Sequence, residues 1–100
     1  MNSLQVVGPD GALELVDTEV PAVGINDVLV EVEAASVGLT VYKAIHGRIS
    51  GGTADRPRIP GHEVVGRVVD VGDGVTDVVE GERVAAYFYL SCGRCDACRT

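Results

Sequence analysis

Three Val-rich runs of strand length, "VLVEVEAASV", "HEVVGRVVDVG" and "RVAAYFYL", are set apart by segments rich in Gly, Pro and acids. In the first run Val28, Val30, Val32 and Ala34 share one parity, while Glu31 and Glu33 share the other. A repeat of two residues describes a strand with one face buried and one face wet. Valine suits that geometry because its branched Cβ packs well on a pleated surface. Two shorter runs, "LQVVG" and "ALELVD", flank "GPDG", which has the composition of a tight turn. In the second long run Gly66 stands mid-strand, where a glycine marks a bulge or the close approach of another backbone. Only "VYKAIHG" reads as helical, with Thr40 as its N-cap and Gly47 at its end. Many strands, irregular loops and little helix predict a mainly β, barrel-like domain.

One hundred residues make one modest domain, and 46% hydrophobic content is that of a chain that folds. The formal net charge of −7, with Lys43 the only lysine, argues against nucleic acid or an anionic membrane surface as partner. No apolar run is long enough to span a bilayer, and "MNSLQVVGPDG" lacks the basic and apolar regions of a secretory leader. The expected location is therefore the cytoplasm, where clustered thiols serve as metal ligands more readily than as disulfides.

All three cysteines fall in "SCGRCDACRT", at C-x2-C-x2-C spacing. Two-residue loops between thiolates let Cys92, Cys95 and Cys98 face one ion, and a tetrahedral zinc site takes four ligands. The same spacing also opens some iron–sulfur motifs. Zinc is favoured, because the flanking strands describe a β-domain carrying a lobe rather than a fold built around a cluster. Three free thiols in a loop are the plain alternative. The expected fourth ligand lies beyond Thr100, which would make these residues an incomplete piece of a longer chain.

His62 and Glu63 follow Pro60-Gly61 in "IPGHEVVGRVVDVG", so the backbone turns sharply before the imidazole is presented. Neutral imidazole is a good zinc ligand, and the adjacent carboxylate can orient a ligand or join the coordination. A packed or solvated histidine at a strand start is the alternative. "VGDGVTD" lacks the third glycine and the helix of a dinucleotide fingerprint, so it reads as a turn. His46 reads as a surface residue, the acids at positions 10, 17, 73 and 77 as solvated loop residues, and no Gly-x-Ser-x-Gly element nominates a nucleophile.

In order along the chain, "VLVEVEAASVG", a short helix ending at Gly47, "IPGHEVVGRVVDVGDGV", "EGERVA" and "CGRCDAC" resemble the N-terminal catalytic domain of medium-chain zinc-containing alcohol dehydrogenases. The resemblance runs from about Leu4 to Cys98. It implies a GroES-like, partly open β-barrel over residues 1–100, with a zinc lobe from about residue 91 and the Rossmann domain for NAD or NADP elsewhere. It makes Cys92, Cys95 and Cys98 ligands of a structural zinc, and His62 a ligand of a catalytic zinc with Glu63 beside it. In such enzymes the catalytic zinc polarises the alcohol oxygen while hydride passes to the nicotinamide. Thr40 matches the hydroxyl that relays the substrate proton.

Gly38 stands where the family's first catalytic cysteine would be, and Val41 where its acidic residue would be. Ala34, Ala35, Ser36, Tyr42 and Lys43 also match the pattern of the zinc-free quinone and enone reductases, a branch that usually lacks both the histidine and the cysteine lobe. The expected activity is alcohol–carbonyl interconversion on a small molecule, by an enzyme that is a homo-oligomer when complete. Reduction of an activated double bond without catalytic metal is the alternative. A non-catalytic GroES-like zinc module is a third reading, favoured by the lack of a dinucleotide fingerprint and opposed by the unfinished metal motif.

Overall fold

The computed structural model describes residues 1–6, 12–45, 59–87 and 89–99, with the side chains at 40, 44 and 45 also outside the description. Its strands are β1 (Asn2–Val6), β2 (Leu13–Asp17), β3 (Val28–Ala35), β4 (Val64–Val71) and β5 (Arg83–Ala85). Its helices are α1 (Leu39–Ile45) and α2 (Asp96–Arg99). β1 and β2 form an antiparallel pair, and β3, β4 and β5 form an antiparallel sheet in that order. The fold is mainly β, as the alternation requires. Among the described residues the two sheets do not close into a barrel.

β3 and β4 run together from Val28 opposite Val71 to Ala35 opposite Val64, with register shifts between Leu29 and Val30 and between Val32 and Ala34. Each shift sets an extra residue into one strand and turns the following side chains over. The single buried face expected for β3 is broken accordingly. Val28, Leu29 and Val30 are half-buried in succession, whereas Val32 is 58% exposed. Gly66 is the close approach that its mid-strand position predicts. A Cβ there would lie 2.2 Å from the Glu31 carbonyl oxygen, which no other residue could tolerate without moving β3.

The third long run is a much shorter strand than its composition predicts. β5 stops at Ala85, and one further rung runs from the Ala86 N–H to the Val64 carbonyl at 2.9 Å. β4 itself begins at Val64, so among the described residues the β4–β5 pairing ends there. Tyr87 and Tyr89 are exposed and meet edge to face at 5.7 Å between ring centroids.

α1 begins at Leu39, where the Tyr42 N–H donates to the Gly38 carbonyl at 3.2 Å. Thr40 therefore stands inside the first turn and is not the N-cap. α2, which the sequence does not announce, has Asp96 in its first turn and Arg99 in its last, the arrangement that the helix dipole favours. "VGDGVTD" is a turn as expected: Gly72 and Gly74 donate to the carbonyls of Asp27 and Ile25 at 2.8 and 2.7 Å. Asp17 is a strand end paired with the N-terminal amine at 3.0 Å rather than a loop residue. "GPDG", His46, Gly47 and residues 48–58 lie outside the described residues.

Among the described residues the buried apolar side chains are Val6, Val41 and Val68, with Val68 only 1% exposed at the middle of β4. The opposite face is laced by charge. Glu33 of β3 accepts from Arg83 of β5 at 2.9 Å and pairs with Arg67 of β4 at 3.5 Å. Arg67 also donates to the Gly81 carbonyl at 2.8 Å, tying the β4–β5 connection to the sheet. Exposed pairs of this kind contribute little to stability.

Candidate metal centre and active-site cleft

The cysteine lobe is assembled by its own backbone. Gly93 takes φ of 71°, a left-handed value that turns the chain over just after Cys92. That turn aims the N–H groups of Arg94 and Cys95 at the Cys92 sulfur, at 3.5 and 3.4 Å. One helical turn later, Cys98 N–H donates to the Cys95 carbonyl at 3.1 Å and brings the third thiol round.

The three sulfurs lie within 4.8 Å of one another, with Cys92 to Cys98 at 3.8 Å and Cys95 to Cys98 at 3.4 Å. Tetrahedral zinc with Zn–S bonds of about 2.3 Å needs sulfurs about 3.8 Å apart, so the lobe fits that ion. The local field suits it too. The Arg94 N–H first, then the Cys95 N–H, lower the Cys92 thiol to about 7. The Cys95 thiol, followed by the Gly93 backbone, lowers Cys98. N–H groups stabilise a thiolate, the form that binds metal.

The second centre is non-local. An open cleft of about 540 Å³ lies where β3 and β5 end and β4 begins, with Ala35, Val64 and Ala85 among its apolar walls. Ser36, His62 and Glu63 are its polar residues. Ala35 opposite Val64 is the last register pair, so Ser36 and Glu63 form the next rung outward. The Ser36 N–H donates to the Glu63 carbonyl at 2.9 Å, and the Ser36 hydroxyl donates to Glu63 Oε2.

Gly38 borders this rung. A Cβ built on it would lie 3.3 Å from the same Oε2. The Glu63 carboxylate thus lies beside the position-38 backbone, and His62 lines the same cleft as Glu63. Thr40 belongs to α1, and its side chain lies outside the described residues. For a second zinc, His62 and Glu63 offer suitable donor chemistry. Among the described residues, the cysteines are the only set of three or more metal-binding groups close enough to share an ion. Ser36, which the sequence offered only as a match to the reductase pattern, is the further polar residue of this cleft. Its serine is visible in "EAASVG", but its partner is fixed only by the strand register.

Residues 24–100 match the family model described as the alcohol dehydrogenase GroES-like domain, and the chain belongs to that family. It is 38% identical over 88 residues to the L-threonine 3-dehydrogenase of Caldanaerobacter subterraneus subsp. tengcongensis, covering 87% of this chain and 25% of that one. Its fold resembles the cobalt- and zinc-bound thermostable alcohol dehydrogenase of Pyrobaculum aerophilum, with a TM-score of 0.86 and 35% identity over 99% of this chain and 30% of that one. It also resembles CAD from Helicobacter pylori complexed with NADP(H), with a TM-score of 0.80 and 28% identity over 98% of this chain and 28% of that one. The chain therefore spans only about a quarter to three-tenths of the dehydrogenases it matches. Among the described residues no helix is long and apolar enough to cross a membrane.

Proposed function

We propose that these residues are the GroES-like domain of a longer cytoplasmic, nicotinamide-dependent, zinc-containing oxidoreductase that interconverts an alcohol and a carbonyl. The observation that carries this reading is the family match over residues 24–100, which encloses both polar centres just described. NAD or NADP falls to residues outside this domain, because among the described residues no Gly-rich strand-to-helix turn is present to hold a pyrophosphate.

In the lobe, Cys92, Cys95 and Cys98 with one further thiolate would hold zinc in a closed shell, which is a structural rather than a catalytic arrangement. In the cleft, His62 and Glu63 would hold a second zinc with a donor from elsewhere in the enzyme. When bound, that zinc supplies Lewis acidity toward the substrate oxygen. The Ala and Val walls would receive the carbon skeleton of a small substrate. Thr40, two residues from Gly38 in the first turn of α1, is assigned the relay of the substrate proton.

A second reading has a specific observation behind it. Gly38 has no side chain to serve as a ligand, as suits reduction of an activated double bond without catalytic metal. Metal analysis and nicotinamide-linked assays of the full-length enzyme decide between the two. The expected result is two zincs per chain, falling to one in His62→Ala with loss of nearly all alcohol oxidation. A single zinc untouched by His62→Ala, with enone reduction retained, establishes the metal-free reductase. Iron with acid-labile sulfide in place of zinc would overturn the assignment of the lobe.

A further inference from the structure

Glu63 is held from two directions by one residue. The Ser36 backbone N–H fixes the Glu63 carbonyl at 2.9 Å, and the Ser36 hydroxyl donates to the carboxylate at Oε2. That same oxygen is the nearest neighbour of the space a side chain at position 38 would enter, 3.3 Å from a Cβ placed there. The carboxylate thus borders a place left open by glycine, on the wall of the cleft that His62 also lines. Glu63 is otherwise an exposed residue on a loop before β4, and a long flexible side chain does not stay in one place without a partner.

We infer that Ser36 is a positioning residue that holds the Glu63 carboxylate beside Gly38, so that Glu63 serves the cleft in place of the side chain that position 38 lacks. The inference rests on the reading of His62 and Glu63 as metal donors. Two consequences follow from the geometry. Removing the Ser36 hydroxyl frees the carboxylate to turn toward solvent. A side chain at position 38 presses on Oε2, and the carboxylate must give by a few tenths of an ångström to admit it. Ser36→Ala and Gly38→Ala should therefore disturb the same atom from opposite sides.

The test uses the full-length enzyme loaded with Co²⁺, whose cleft and lobe sites are read separately. Thiolate charge-transfer bands report the lobe, and ligand-field bands with a weaker-field donor set report the cleft. Loss of a group that orients a metal ligand typically lowers metal affinity about 10- to 100-fold. Ser36→Ala should weaken Co²⁺ at the cleft by about that factor and shift its ligand-field bands, leaving the lobe bands unchanged as the control for folding. Ser36→Thr should restore both affinity and spectrum, and Gly38→Ala should shift the same bands with Ser36 still present. If Ser36→Ala keeps wild-type affinity and spectrum while His62→Ala abolishes cleft binding, the role of Ser36 is overturned and the metal reading stands. If His62→Ala leaves cleft cobalt untouched, the metal reading falls and this inference falls with it.

Discussion

Cys92 and Cys98 stand six residues apart and face each other through a single reversal of the backbone, whereas Ser36 and Glu63 stand 27 residues apart and meet only where β3 and β4 pair. The lobe carries its geometry in its own backbone: a left-handed Gly93, two N–H groups aimed at one sulfur and one helical turn. The cleft borrows its geometry from the sheet. Whatever shifts the register of β3 against β4 moves Ser36 relative to Glu63, because a slip of one residue turns every side chain to the other face. A chain can therefore damage its sheet and keep the lobe, or lose the lobe metal and keep the cleft.

The largest expected effect that sharpens this contrast is Cys95→Ser in the full-length protein. Removing one thiolate of the proposed zinc shell should lower zinc affinity at the lobe by more than the about 10- to 100-fold that loss of a ligand's supporting partner costs, and lower thermal stability with it. Turnover per folded, metal-replete cleft should change far less. Parallel collapse of both activity and lobe zinc, at temperatures where the chain stays folded, would erase the distinction between the two centres.

A smaller effect follows from the thiol chemistry of the metal-free lobe. The N–H groups of Arg94 and Cys95 lower Cys92 to about 7, so its thiolate predominates above that pH and is lost as pH falls through it. Alkylation of the zinc-free chain should reach Cys92 first and lose half its rate near pH 7, as read by peptide mass mapping across pH. Zinc binding should weaken below the same pH, since protons then compete for the sulfur. A midpoint near that of an ordinary thiol would mean that the local hydrogen bonds do not form in solution.

The smallest effect tests the charged face of the sheet. Glu33→Ala removes the carboxylate shared by Arg67 and Arg83, and exposed pairs of this kind are worth about 1 kcal/mol or less. Chemical denaturation should register a loss of that size, reduced further in high salt, with the lobe thiols unaffected. A loss of several kcal/mol would show that the ion pairs set the β3–β4–β5 register rather than merely decorating it.

The same contrast explains what could be read in advance. The cysteine spacing points to a metal lobe because the distance between ligands is a property of a few consecutive residues. The strands were legible from valine and turn composition, and so was the tight contact at Gly66. The length of β5 was not, because "RVAAYFYL" has the composition of a strand throughout but β4 offers partners only as far as Val64. The bulges between β3 and β4, one with its extra residue in each strand, were hidden for a related reason: an alternating pattern does not say where the partner strand falls out of step. Ser36 stayed obscure because its significance lies in a residue 27 positions away.

Gly66 gives the sheet a fulcrum. At that point the β4 backbone lies so close to Glu31 that even a methyl group would have to displace the facing strand. Three residues earlier in the chain the Ser36–Glu63 rung sits at the end of the same lever arm. Crowding at this glycine would therefore be felt as travel at the cleft, at the rung where Ser36 meets Glu63.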